Sequence, residues 1–158
     1  MTKDVLVSIS GLHVDIAAQL PDQDEEDVIE VVTPASYYYR NDKHYVVYDE
    51  VIEGTSEVIK NKIKITGTDK IEILKTGVSN SHMIFEKNKK NLTYYKTQYG
   101  QMLIGVQTKS MDIQFLENKI QVAILYELDV NHEPIADCRI KMNIVSKSSG
   151  DFSIEANI

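Results

Sequence analysis

Tryptophan is absent from the 158 residues, cysteine occurs once, proline three times and glycine seven times. The single Cys138 excludes an internal disulfide, and a lone thiol suits a reducing cytosol. So little proline and glycine excludes collagen-like and low-complexity chains. Leucine and alanine are also scarce, at 15 residues together, against 34 isoleucines and valines. That shortage argues against helical bundles and coiled coils, because branching at Cβ costs χ1 freedom in a helix and little on a pleated surface. Arginine is limited to Arg40 and Arg139, and the net charge is −7. Proteins that neutralise phosphates usually carry a basic patch, so no nucleic-acid partner is expected. No apolar run approaches the length of a membrane helix. Val5 to Leu12, interrupted by Ser8 and Ser10, is too short and too polar for a signal segment. The expectation is a cytoplasmic chain with no membrane partner, folded as one domain over residues 1–158.

What is present is strand pattern. Val5, Val7 and Ile9 alternate with Leu6, Ser8 and Ser10 in the first run, Val5 to Ile16. The acidic stretch Pro21–Asp27 reads as a solvated connection, since it lacks the glycine and terminal glutamate of a calcium loop. From Val28 onward β-rich runs follow one another, punctuated by Asn41-Asp42, Gly67-Thr68-Asp69, Gly77–Asn80, Asn88–Asn91, Gly100, Glu117-Asn118 and Asn131–Pro134. Asx residues between two such runs tolerate the left-handed conformation of a tight hairpin. A last run, Phe152–Ile158, follows Ser149-Gly150. Ten to twelve short runs with a turn about every ten residues predict an all-β, antiparallel fold. Closure into a barrel of about eight to ten strands removes the edges that such apolar strands would expose. An outer-membrane barrel is set aside for want of a leader and aromatic girdles.

Every second side chain of a strand shares a face. Ile63, Ile65, Ile71, Ile73, Met83 and Phe85 are assigned to the interior, with Met102, Ile104, Val106 and Thr108. Val122, Ile124, Tyr126 and Leu128 join them, as do Cys138, Ile140, Met142 and Ile144. Two strands carry polar groups on the inward face. Tyr48 and Glu50 lie between Val46 and Ile52, and Tyr95, Thr97 and Tyr99 share one face. The candidate site is therefore Tyr48, Glu50, Tyr95, Thr97, Thr108 and Tyr126. Such hydroxyls can satisfy one another and the carboxylate as a buried network. Alternatively they converge on a cavity, as a few polar groups among aromatics do in small-molecule pockets. An inward Glu50 needs a partner, because an unpaired buried carboxylate costs several kcal/mol or takes up a proton.

Catalytic patterns are missing. His13, His44, His82 and His132 share no ligand spacing with one another or with Cys138, so no metal or cofactor is expected. Cys138 reads as a small buried hydrophobe. No serine sits in a Gly-x-Ser-x-Gly elbow, and no glycine-rich phosphate loop occurs. Tyr37, Tyr38 and Tyr39 alternate faces and cannot make one stacking platform.

Several features recur at fixed places: Tyr48-x-Glu50, Gly77, Met83-x-Phe85-Glu86, Tyr95-x-Thr97-x-Tyr99-Gly100, Thr108 and Tyr126-x-Leu128. In their order and spacing the chain, from Val5 to about Val145, resembles the YwiB-like family of uncharacterised small bacterial proteins. The resemblance implies a calycin-like, lipocalin-related barrel in a bacterial cytosol, with no established activity and no catalytic residues. Two readings follow. The preferred one is a non-enzymatic module that holds a small, partly apolar ligand inside the barrel. The other is a filled barrel that binds a protein partner through an edge or a surface patch. Pairing of two copies is compatible with either, and strand number alone does not separate a filled barrel from a hollow one.

Overall fold

Branched side chains alternating with polar ones pleat the chain into ten strands. The computed structural model describes residues 3–11, 30–51, 54–77, 80–97 and 100–147, with the side chains of residues 30, 31 and 95–97 outside that description. The acidic stretch, His13, Ile52, Tyr99 and the run Phe152–Ile158 also lie outside it. The strands are β1 (Asp4–Ser10), β2 (Glu30–Arg40), β3 (Lys43–Val51), β4 (Val58–Thr66) and β5 (Lys70–Thr76). They continue with β6 (Ser81–Glu86), β7 (Lys90–Thr97), β8 (Gly100–Leu116), β9 (Lys119–Val130) and β10 (Glu133–Ser146). Among the described residues no helix occurs, and none is long and apolar enough to cross a membrane.

All ladders are antiparallel, and the sheet order is β6-β5-β4-β3-β2-β1-β10-β9-β8-β7. The order is a cyclic one: β1 pairs with β2 on one side and with β10 on the other. Only the junction of β6 with β7 lacks a ladder, so the sheet is a nearly closed barrel with one seam. A corner ties the seam at one end. There the Asn88 N–H donates to the Thr108 carbonyl (3.1 Å), and the Thr108 N–H donates to the Lys89 carbonyl (3.1 Å). β8 accommodates the corner with a bulge between Thr108 and Ser110.

The turns obey the expected chemistry. Asn41 (φ 53°) and Asp42 (φ 62°) take the left-handed conformation in the β2–β3 hairpin, matching strand twist. Asn131 (φ 50°) and His132 (φ 71°) do the same between β9 and β10. Gly77 sits at φ 147°, and a Cβ there would lie 2.8 Å from the Val58 carbonyl oxygen. The interior is the expected one: Ile63, Ile65, Ile71, Ile73, Phe85, Ile124, Ile140 and Ile144 are all buried. Their volume and branching make an apolar core around which the sheet curls. Aromatic rings gather at the end carrying the β2–β3 and β8–β9 turns, here the lower end. The Tyr37 hydroxyl meets His44 Nδ1 at 2.7 Å, and the His44 ring stacks on Phe115 with centroids 4.7 Å apart. Burial holds the His44 imidazole below its ordinary range.

Candidate functional site

One inward-facing row crosses three ladders near the upper end. Tyr48 of β3 faces Asn61 of β4, Asn61 faces Lys75 of β5, and Lys75 faces Ser81 of β6. Glu50, two residues beyond Tyr48, shares their face and lies nearer the rim. Lys75 Nζ donates to Glu50 Oε1 at 3.1 Å, and Asn61 Nδ2 donates to the same oxygen at 3.3 Å. Asn61 Nδ2 also donates to the Ile59 carbonyl at 3.4 Å. Both partners are acceptors, which fixes the amide with its carbonyl oxygen turned away. That oxygen, Oδ1, is buried and has no partner.

Sequence reasoning placed Glu50 inward and required a partner for it; the structure supplies Lys75. The burial is distributed differently, however. The Glu50 side chain is 39% exposed, whereas that of Lys75 is 8% exposed, so the desolvated ion is the ammonium. Asn61 and Lys75 were missed. Their signal was present in the parity of Ile59-x-Asn61-x-Ile63-x-Ile65 and of Ile71-x-Ile73-x-Lys75, where a polar residue continues an apolar face. Tyr48 is buried, and its hydroxyl is pushed up to about 12 by burial and then by the Glu50 charge.

Thr108 and Tyr126 form a second group. They are cross-strand partners on β8 and β9, and Cys138 of β10 faces Tyr126 in turn. The Phe85 ring meets the Tyr126 ring edge-on, with centroids 5.0 Å apart. Phe85 lies four residues along β6 from Ser81, which sets this group about 13 Å along the strands from the Lys75 row. The six candidate residues therefore do not converge on one point. Tyr95 and Thr97 face Met102 and Gly100 in the β7–β8 ladder, but their side chains lie outside the described residues.

The two hydroxyls of this second group do not satisfy each other. Thr108 Oγ1 is buried without a hydrogen-bond partner, as is Nδ2 of Asn91, a β7 residue, and the buried Tyr126 hydroxyl has no partner beyond the weakly bonding Cys138 thiol. Asn91 faces Val106, so it points inward beside Thr108. The Tyr126 hydroxyl lies against the Cys138 thiol, and burial holds both groups above their ordinary ranges. A thiol so placed is a poor nucleophile. Among the described residues no group of three histidine, cysteine or acidic side chains is arranged to hold a metal ion. What the interior offers is hydrogen bonding: an ion pair with an open amide oxygen near the rim, and three open polar atoms deeper down.

Residues 14–142 match the family model described as a domain of unknown function (DUF1934). An uncharacterised β-barrel protein, YwiB of Bacillus subtilis (strain 168), is 25% identical over 122 residues, covering 77% of this chain and 82% of that one. The crystal structure of the ywiB protein from Bacillus subtilis superposes with a TM-score of 0.71 at 18% identity, covering 92% of this chain and 93% of that one.

Proposed function

The chain belongs to this family of barrel proteins of unknown function (DUF1934), and on that premise we propose that it is a cytoplasmic, non-enzymatic, calycin-type binding module whose interior holds a small, partly apolar ligand. The observation that carries the reading is the open Asn61 Oδ1 beside a desolvated Lys75 near the rim. A buried carbonyl left without a donor costs about 1–3 kcal/mol. Removing an ammonium from water costs more, and Glu50 engages only part of its donor capacity. A ligand head that donates to Asn61 and accepts from Lys75 or Tyr48 offsets both penalties. Because Glu50 already neutralises Lys75, an uncharged head fits better than an anion. A hydroxyl or primary amide has both functions, and the isoleucine-rich wall below it suits an alkyl body.

Several features support a binding role over catalysis. His44 is engaged by Tyr37, and His82 Nε2 meets Glu72 Oε1 at 2.9 Å on the outer surface. Four of the lysines there pair with acids, as in Lys64–Glu72 at 3.6 Å and Lys109–Asp137 at 3.2 Å, and with a net charge of −7 this speaks against a polyanionic partner. Decanol is the simplest probe of the proposed chemistry. It should raise the melting temperature of the wild type and bind measurably by calorimetry. Asn61→Leu and Lys75→Met should each weaken it by about tenfold, the worth of one good polar contact. Failure of the wild type to bind up to the solubility limit, or equal binding by both variants, overturns the reading. The filled barrel with a protein partner then takes its place.

A further inference from the structure

The deeper polar group is not used by that head-group site, and its chemistry is of a different kind. Thr108 and Tyr126 face each other across the β8–β9 ladder, and both are fully buried. Asn91 faces Val106 and is thus the diagonal neighbour of Thr108 across β7–β8. Asn91 Nδ2 and Thr108 Oγ1 have no partner, the Tyr126 hydroxyl has only the weak Cys138 thiol beside it, and all three residues are inward-facing. The Asn91 Nδ2 can only donate, while the two hydroxyls can donate or accept. The group that satisfies all three must therefore accept from the amide and exchange hydrogen bonds with the hydroxyls. An oxygen does this; an alkyl terminus does not.

We infer that Asn91, Thr108 and Tyr126 form an oxygen-binding station at the inner end of the ligand site, taking a hydroxyl or carbonyl oxygen at the far end of the bound molecule. The inference rests on the ligand-binding reading and adds a second polar terminus to the ligand. The same station also suits a water molecule, since a buried water ordinarily makes about three hydrogen bonds to groups of this kind. The two stations are separated by about 13 Å along the strands. The ligand class is consequently an alkyl or similarly apolar body with an uncharged oxygen function at each end.

The test compares decanol with the corresponding α,ω-diol by calorimetry, on the wild type and on the double variant Thr108→Val, Tyr126→Phe. In a barrel with an apolar floor, the second hydroxyl is buried without a partner, and the diol binds more weakly. With the station present, the diol should bind the wild type roughly threefold to tenfold more tightly than decanol. The preference should reverse in the double variant, whose retained fold is checked by circular dichroism. Decanol binding with the diol weaker in both proteins overturns the station and leaves the head-group reading standing. Binding of neither probe overturns both. A stability comparison separates water from ligand as the occupant. If neither probe binds and Tyr126→Phe lowers the urea midpoint, the station holds structural water only, and the ligand assignment falls.

Discussion

Lys75 is the residue whose replacement says most about the interior, because it is the buried half of an unevenly buried pair. Glu50 is 39% exposed and can be rehydrated at the rim, whereas Lys75 is 8% exposed and cannot. Glu50→Gln should therefore destabilise the barrel by about 1–3 kcal/mol, since it strands an ammonium away from its counter-ion. Lys75→Met should cost less or nothing, because a methionine fills the same channel without a charge. Urea unfolding of the two variants checks the order, and a larger loss for Lys75→Met contradicts the assignment of burial. Tyr48 makes a pH-dependent contribution. Its folded pKa, about 12, lies above the ordinary value of 10, so the native state binds that proton more tightly. Its contribution is complete below pH 10 and is lost as pH rises through 12. Two units correspond to about 2–3 kcal/mol. Tyr48→Phe should flatten the loss of stability between pH 10 and 12 relative to the wild type, measured by urea midpoints across that range.

Among the elements, β8 shows what was legible in the sequence and what was not. Its alternation assigned Met102, Ile104, Val106 and Thr108 to the inside, and the burial follows that parity. The bulge after Thr108 shifts the face without leaving a local signal, so Met111 and Ile113 are buried at the opposite parity. Hairpin turns were readable at Asn41-Asp42 because the left-handed backbone demands Asx or glycine there. The candidate site was half legible: Tyr48 and Glu50 were found, while Asn61, Lys75 and Asn91 were hidden as single polar residues inside apolar runs. Gly105 was equally silent. It lies on the outer face opposite Asp129, whose carboxylate occupies the space a side chain would need. A Cβ at Gly105 would meet Asp129 Oδ1 at 2.3 Å, while Oδ2 holds Lys90 Nζ at 2.6 Å. Gly105→Ala should thus displace Asp129 and cost about 1–3 kcal/mol in urea unfolding. An unchanged midpoint would show that the carboxylate moves aside freely.

At the scale of the whole molecule the cyclic strand order decides where the barrel yields. Pattern alone called for closure but gave no hint of which two strands meet last. Strands β1, β9 and β10 are each paired on both sides, and β1 joins β2 to β10 in the continuous wall. β6 and β7 are paired on one side only; the Lys87–Lys89 corner joins them, and Phe85 of β6 packs across the interior against Tyr126 of β9. The corner secures the lower part of the seam, leaving Ser81–Met83 at its upper part; Ser81 faces Lys75 and Met83 faces Ile73. Local opening follows the elements with fewest ladder bonds and least burial. Amide exchange in native conditions should accordingly divide the strands. Protons of β1, β9 and β10 should exchange only through global unfolding, with a free energy that Ile124→Ala lowers by about 2–5 kcal/mol. Those of β6 that face the seam should exchange by a smaller opening that Ile124→Ala leaves nearly unchanged. If β6 and β10 instead lose protection together in the wild type and shift equally in the variant, the seam is not an independent opening, and the barrel yields as one unit.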